Sequence, residues 1–280
     1  MFLVFSYQLR RIARVPPPGM LWTPKEDWVL KNVDKNRFKN LNISARSQEQ
    51  SEEWDWREIK PQCLAVRDRG YCEYSSWAFA AIEGMGDQRC IAGKDLARVF
   101  YSEQFLTSCN IKDDAQKGCL GGRVEKALNF LQETGVPTSK CAVFRSGMDG
   151  IQRKCQSKCD DKSSFTGLTK IGTAQNVGGE ASMLKGLEKG VLVGEMQIYT
   201  DFATFEALEE EIYHHTETAT LTGYYLGVNI VGYGVNEENI KYWIVKNSKG
   251  PKWGEDVGYF KILRGSNECG IEDNAFLITP

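Results

Sequence analysis

Nine cysteines and two histidines are the side chains of this chain best suited to chemistry. Eight of the cysteines stand between residues 63 and 159, and Cys269 stands alone. Thiols act as nucleophiles, bind metals or pair as disulfides. The closest pair, Cys155 and Cys159, lacks the two-residue spacing typical of zinc motifs. We therefore expect disulfides among the eight cysteines, and no metal or other cofactor.

The cysteine count also bears on the compartment. An even set of eight with one spare thiol is typical of proteins from oxidising compartments, although it leaves on the order of a hundred pairings open. We predict the secretory pathway, a lysosome-like lumen or the extracellular space. The alternative is an intracellular assembly with reduced cysteines, and the start of the chain, whose apolar run is too short for a signal peptide, leaves it open.

Three segments of the chain carry a resemblance to a known family. Residues 69–79, Arg-Gly-Tyr-Cys-Glu-Tyr-Ser-Ser-Trp-Ala-Phe, resemble the segment of papain-family cysteine proteases in which Trp-Ala-Phe follows the nucleophile. Residues 117–122 and 246–260 continue the resemblance. Residues 54–63 and 260–272 are most similar to the cathepsin B branch, so the resemblance covers about residues 53–280.

The resemblance implies a fold, a domain division and a set of disulfides. The fold is α+β and papain-like, with a helical left lobe over about residues 53–165 and a β-barrel-like right lobe over about 166–280. Residues 1–52 then form an N-terminal extension, similar to a propeptide and expected to stay uncleaved. The implied bonds are Cys63 to Cys90, Cys72 to Cys119, Cys109 to Cys155 and Cys141 to Cys159, with Cys269 free.

The same resemblance implies where catalytic groups should stand, and other residues occupy most of those positions. Ser76 stands in place of the nucleophilic cysteine, and Ser75 is the alternative if the insertion after Cys72 is aligned differently. Leu226 stands in place of the histidine. Asn247 matches the asparagine that orients the histidine, whereas Arg69 replaces the glutamine that binds the oxyanion.

These four positions predict a protein that is not an enzyme. A serine hydroxyl is a poor nucleophile without a base, so loss of both thiol and imidazole favours a catalytically inactive homologue. We expect a structural or binding subunit of a protein assembly. One alternative is a free peptide-binding pseudoprotease of a secretory or lysosomal compartment, and another is a residual serine-dependent peptide hydrolase.

The remaining candidate residues receive no role. His214 and His215 would point to opposite faces of a strand, which disfavours binding one metal ion.

Protein partners are expected at the N-terminal extension, at the inactive cleft, or at both.

The elements that must position these residues can be read from hydrophobic patterns. The run from Ser75 predicts a buried helix, because apolar residues lie on nearly every face. Shorter helices are predicted from residues 102 and 124, and strands at 190–199, 226–234, 241–246 and 257–263. Helices followed by strands are the order expected of an α+β protein.

Composition excludes several classes of function. The chain has 280 residues, of which 41% are hydrophobic and 26% charged, so it can bury a sizeable core. The formal net charge of −2 offers no basic excess for nucleic acid, which we do not expect as a partner. No apolar run approaches the length of a membrane-spanning helix, and we expect none.

Overall fold

The structure, a computed structural model, describes residues 53–111, 116–208 and 210–280. The predicted N-terminal extension, residues 1–52, and the partner site predicted on it lie outside the described residues. The helices are α1 Trp56–Ile59, α2 Ser76–Ile91, α3 Glu103–Cys109, α4 Val124–Glu133, α5 Ser146–Asp149 and α6 Glu180–Leu187. The strands are β1 Trp54–Asp55, β2 Ala174–Asn176, β3 Leu192–Tyr199, β4 Ile212–Tyr213, β5 Leu221–Val235, β6 Lys241–Lys246, β7 Tyr259–Leu263 and β8 Ala275–Ile278.

Helix α2 is the central helix of the fold. Every residue in it except Arg89 is buried, as expected of a helix that is apolar on nearly every face. It packs against α3 and α4 on one side and against β3 and β5 on the other. The buried helix predicted from residue 75 is therefore present, and it lies between two groups of apolar side chains.

The strands form one sheet in the order β2-β8-β3-β5-β6-β7-β4, and β1 pairs with β5. All pairs are antiparallel except β4 with β7. Strand β5 is exposed from Leu221 to Tyr225 and buried from Leu226 to Gly234, except that Thr222 is half-buried. The exposed part projects toward the start of α2, so one strand joins the interior of the sheet to the surface beside Ser76.

Two hydrophobic cores flank α2. The helical core contains residues of α2, α3 and α4, among them Trp77, Ile82, Met85, Phe105 and Leu128. The sheet core contains residues of the strands and α6, among them Leu187, Leu226, Tyr233, Trp243 and Ile262. Helices and sheet together confirm the predicted mixed α+β class.

The membrane prediction concerns helix length and apolar character. Of the helices in the described residues, none is long and apolar enough to cross a bilayer.

Candidate functional site

The two serines at the start of α2 face different neighbours. Ser75 Oγ donates a hydrogen bond to the carbonyl oxygen of Cys72 at 2.5 Å. Ser76 Oγ accepts a hydrogen bond from the Gly227 N–H of β5 at 3.1 Å. Ser76 is buried and opens the helix, where the aligned peptide dipoles favour negative charge. The structure therefore leaves Ser76, and not Ser75, opposite the strand that carries Leu226.

Strand β5 approaches α2 closely because residue 227 is glycine. A Cβ atom at Gly227 would lie 2.6 Å from the Ser76 carbonyl oxygen and 2.8 Å from the Trp77 Cα. Leu226, the preceding residue, is buried in the sheet core. The position predicted for a histidine thus holds an alkyl side chain next to the residue that contacts Ser76.

Asn247 and Arg69 are in direct contact. Asn247 Oδ1 accepts hydrogen bonds from the Ser248 N–H at 2.8 Å and from Arg69 Nη1 at 3.4 Å. Arg69 Nη1 also donates to Ser248 Oγ at 2.9 Å, and Arg69 Nε donates to the Glu73 carbonyl oxygen at 2.7 Å. Among the described residues, the buried Asn247 Nδ2 has no hydrogen-bond partner. Arg69 therefore uses the oxygen that the family resemblance assigns to orienting an imidazole.

Aromatic side chains cover the approach to Ser76. Tyr74 stacks on Tyr224 with ring centroids 5.3 Å apart, which joins the turn before α2 to the exposed part of β5. Burial, the Glu73 carboxylate and Tyr224 together raise the pKa of Tyr74. The Arg123 guanidinium lies 4.3 Å from the ring centre of the adjacent Tyr225. The two adjacent tyrosines of β5 thus contact different partners, Tyr74 in the turn before α2 and Arg123 in front of α4.

A buried ion cluster joins two acidic residues of α2 to Lys246 of β6 and to Arg98. Lys246 Nζ is 2.9 Å from Glu83 Oε2 and contacts Asp87, and Arg98 Nε donates to Asp87 Oδ1 at 2.7 Å. Neither Glu83 oxygen accepts a well-directed hydrogen bond from the described residues. Burial, more than the opposing Lys246 charge, raises the pKa of Glu83 to about 7. Sequence reasoning missed this cluster, although two acids four residues apart on an otherwise apolar helix were a usable signal.

A second cluster contains His215, Glu268 and Cys269. Sequence reasoning placed His214 and His215 in a strand, which is wrong, because β4 ends at Tyr213. His215 Nδ1 lies 2.6 Å from Glu268 Oε1, and Cys269 Sγ donates to the same oxygen at 3.2 Å. Burial and the Glu268 carboxylate raise the pKa of the Cys269 thiol. In the described residues, these three side chains are the group that could hold a metal ion.

The disulfides tie the segments that carry the site. The bonds join Cys63 to Cys90, Cys72 to Cys119, Cys109 to Cys155 and Cys141 to Cys159. All nine cysteines lie in the described residues, and Cys269 is the free one. The second bond fixes the turn before Ser76 to the glycine-rich turn at residues 118–122. Four disulfides fit a secretory or lysosomal compartment.

Comparison with known proteins agrees with this geometry. Residues 50–279 match the model of the papain family cysteine proteases. The chain is 40% identical to cathepsin B-like CP3 of Giardia intestinalis over 79% of this chain and 71% of that protein. It is 34% identical to cathepsin B-like CP1 of the same organism over 99% of this chain and 94% of that protein. The solved structure of procathepsin B S9 from Trypanosoma congolense superimposes with a TM-score of 0.69 at 30% identity, covering 83% of this chain and 78% of that one.

These similarities overturn the prediction that the chain is not an enzyme. That prediction depended chiefly on residues 76 and 226, whereas the match to a family of proteases extends over residues 50–279 and points to a protease. The match to the family covers the segments that contain both residues. The chain belongs to the papain family of cysteine proteases and is a cathepsin B-like homologue within it.

Proposed function

We propose that the chain recognises extended peptide segments in a cleft beside Ser76. The observation that carries this proposal is an exposed apolar rim around a buried serine. The rim consists of Tyr71, Leu120 and Tyr224, with exposed fractions of 59%, 75% and 45%. Grouped apolar side chains on a surface mark binding sites more often than isolated ones do.

The rim residues are held near one another by covalent and aromatic contacts. Tyr71 precedes Cys72 and Leu120 follows Cys119, so the disulfide between these cysteines brings the two exposed side chains together. The stacking of Tyr74 on Tyr224 brings β5 to the same place. The rim therefore has a fixed shape before a peptide binds, which lowers the entropic cost of binding.

The glycine-rich turn supports an extended ligand. Gly121 has a φ of +123°, a backbone conformation that residues with a Cβ atom rarely adopt. At Gly122 a Cβ atom would lie 2.6 Å from the Trp77 ring, so this residue fits only as glycine. A turn without side chains lets an added peptide strand approach the backbone closely, the mode by which other proteins bind extended peptides.

Peptide binding is tested with the full chain and fluorescently labelled peptides of mixed sequence. We expect anisotropy to rise on binding, and Tyr224→Ala to weaken binding at least about tenfold, because aromatic anchors dominate such interfaces. Leu96→Ala is the matched control, since Leu96 is fully exposed and lies beyond the opposite end of α2. Equal binding by wild type and Tyr224→Ala, or equal loss in both variants, would contradict the proposal.

A second candidate function is peptide-bond cleavage through Ser76. It is favoured by the hydrogen bond from the Gly227 N–H to Ser76 Oγ, because a backbone donor and a helix N-terminus both stabilise an oxyanion. In the family this position carries the nucleophile. Turnover of fluorogenic peptides that falls in Ser76→Ala but not in Ser75→Ala would support this function, and turnover unchanged in Ser76→Ala would exclude it.

A binding role for partner proteins belongs to the same proposal. A partner would present an extended segment to the rim, as a peptide would. We infer action in a secretory or lysosome-like lumen, which the four disulfides support.

A further inference from the structure

We propose that His215, Glu268 and Cys269 form a binding site for a single zinc ion. Their ligand atoms, His215 Nδ1, a Glu268 carboxylate oxygen and Cys269 Sγ, all lie within 4.8 Å of one another. Glu268 and Cys269 are buried, and about a third of the His215 side chain is exposed. Solvent thus reaches the cluster from the histidine side only, which gives an ion a path to the site.

Separate elements bring the three donors together. His215 lies two residues after β4, whereas Glu268 and Cys269 are neighbours on a single helical turn, Glu268–Gly270. Cys269 has a φ of +54°, a left-handed backbone conformation that is uncommon for residues other than glycine. This conformation accompanies the close approach of its sulfur to the Glu268 carboxylate. The Glu268 carboxylate also accepts the His215 backbone N–H at 3.1 Å, which fixes the two segments to each other.

Residues behind the donors hold them in place. The His215 ring stacks on Tyr199 with centroids 4.0 Å apart. Tyr213 and Thr216 flank the two histidines in the sequence. Asp201 accepts hydrogen bonds from the Tyr213 hydroxyl and from the Thr216 N–H, both at 2.7 Å. Such outer contacts orient metal ligands and commonly accompany a working site.

The donor set selects zinc. A thiolate, an imidazole and a carboxylate are the three protein ligand types of Zn²⁺, and harder ions such as Mg²⁺ and Ca²⁺ prefer oxygen alone. Zinc bonds of about 2.0 Å to nitrogen and oxygen and about 2.3 Å to sulfur require ligand atoms roughly 3.3–3.6 Å apart. The present separations of 2.6 and 3.2 Å are shorter, and the partly exposed His215 ring can move outward. Water would complete a tetrahedral shell.

Charge balance also favours a dication. The Cys269 thiol proton leaves to solvent as the sulfur–zinc bond forms, so the thiolate and the Glu268 carboxylate together neutralise Zn²⁺. The chain has two histidines and one cysteine outside its disulfides, and one of each meets here. High-affinity zinc binding by the whole chain therefore has one place to occur with both sulfur and nitrogen ligands.

The test uses the full chain, freed of metal with a chelator, and titrates it with Zn²⁺ against a chromophoric chelator and with Co²⁺ by absorption. We expect one Zn²⁺ per chain and a sulfur-to-cobalt charge-transfer band. His215→Ala, Glu268→Gln and Cys269→Ser should each weaken zinc binding at least about tenfold, and Cys269→Ser should remove the cobalt band. Melting curves in chelator check that each variant folds.

The matched control is His214→Ala, which removes the neighbouring histidine and should leave zinc affinity unchanged. If Cys269→Ser does not fold, the cobalt band of the wild type and the partly exposed His215→Ala variant still decide the question. No bound Zn²⁺ at micromolar concentrations, no cobalt–sulfur band, or equal weakening by His214→Ala and His215→Ala would each overturn the proposal.

Discussion

Ser76 lies at the point where helix α2 meets strand β5. It opens α2, contacts Gly227 of β5, and lies beside Leu226, which carries no titratable group. Among the residues that the structure describes, Asn247 Nδ2 has no hydrogen-bond partner, and Asn247 Oδ1 accepts a hydrogen bond from Arg69. The family resemblance assigns catalytic roles to residues 76 and 226, and a hydroxyl and an alkyl chain stand at these two positions.

Placing a thiol at residue 76 and an imidazole at residue 226 should therefore raise peptide turnover. We expect Ser76→Cys with Leu226→His to increase the rate on fluorogenic peptides at least about 100-fold over wild type, because a positioned general base contributes that much. Ser76→Cys alone is the control and should give a much smaller gain. A double variant that folds but is no faster than the single one would show that the two positions are not in catalytic register.

Glu83 should make stability depend on pH in the acid range. Its pKa is raised from 4.5 to about 7, so between these values the folded protein holds a proton that the unfolded chain has lost. The free energy of unfolding therefore falls as pH rises through this window. In Glu83→Gln the decrease should be smaller than in wild type, which urea denaturation at several pH values measures. The exposed Glu58→Gln is the control, and a wild-type profile identical to that of Glu83→Gln would refute the prediction.

At the scale of elements, the contact of α2 with β5 positions the site. The sequence pattern predicted the start of α2 within one residue and both ends of β6, because long apolar runs and alternating strands leave clear signals. It missed β1 and α6, since the two residues of β1 show no periodicity and α6 directly follows the glycines at 178 and 179. It missed the contact of His215 with Glu268, because loop residues far apart in sequence meet only in the fold. Ser76 and Leu226 were located through the family pattern, not through periodicity.

Gly227 should be intolerant of any side chain. A Cβ atom there would meet backbone atoms of Ser76 and Trp77, which cannot rotate away. We expect Gly227→Ala to lower the free energy of unfolding by about 1–3 kcal/mol in chemical denaturation. Gly186→Ala in α6 is the control, because its Cβ would meet a Leu192 methyl group at 3.1 Å, which can move. Equal stability of the two variants would mean that α2 and β5 can separate without cost.

At the scale of the whole molecule, four disulfides and two cores hold the chain. Cys72 to Cys119 connects the turn before Ser76 to the glycine-rich turn, and Cys63 to Cys90 fixes the start of the described domain to the end of α2. The other two bonds tie Cys109 of α3 and Cys141 to the segment that contains Cys155 and Cys159. The molecule belongs to the papain family and has an α+β fold. No helix in the described residues could span a membrane.

The intact mass of the native chain should report this covalent structure. Reduction should add eight hydrogens, two for each of the four bonds. Before reduction, iodoacetamide should add one group, at Cys269, and only after unfolding, because the thiol is buried and its pKa is raised. Rapid labelling of the folded protein, or a smaller mass gain on reduction, would contradict the arrangement of cysteines.

The stacked pair of Tyr74 and Tyr224 gives the molecule a built-in optical signal. Two phenol rings this close behave as coupled chromophores, and one ring belongs to the turn before α2 while the other belongs to β5. Any ligand that enters between them must part the rings and change their coupling. Near-ultraviolet circular dichroism would then follow the opening and filling of the surface above Ser76 in unlabelled protein, and stopped-flow recording would give its speed.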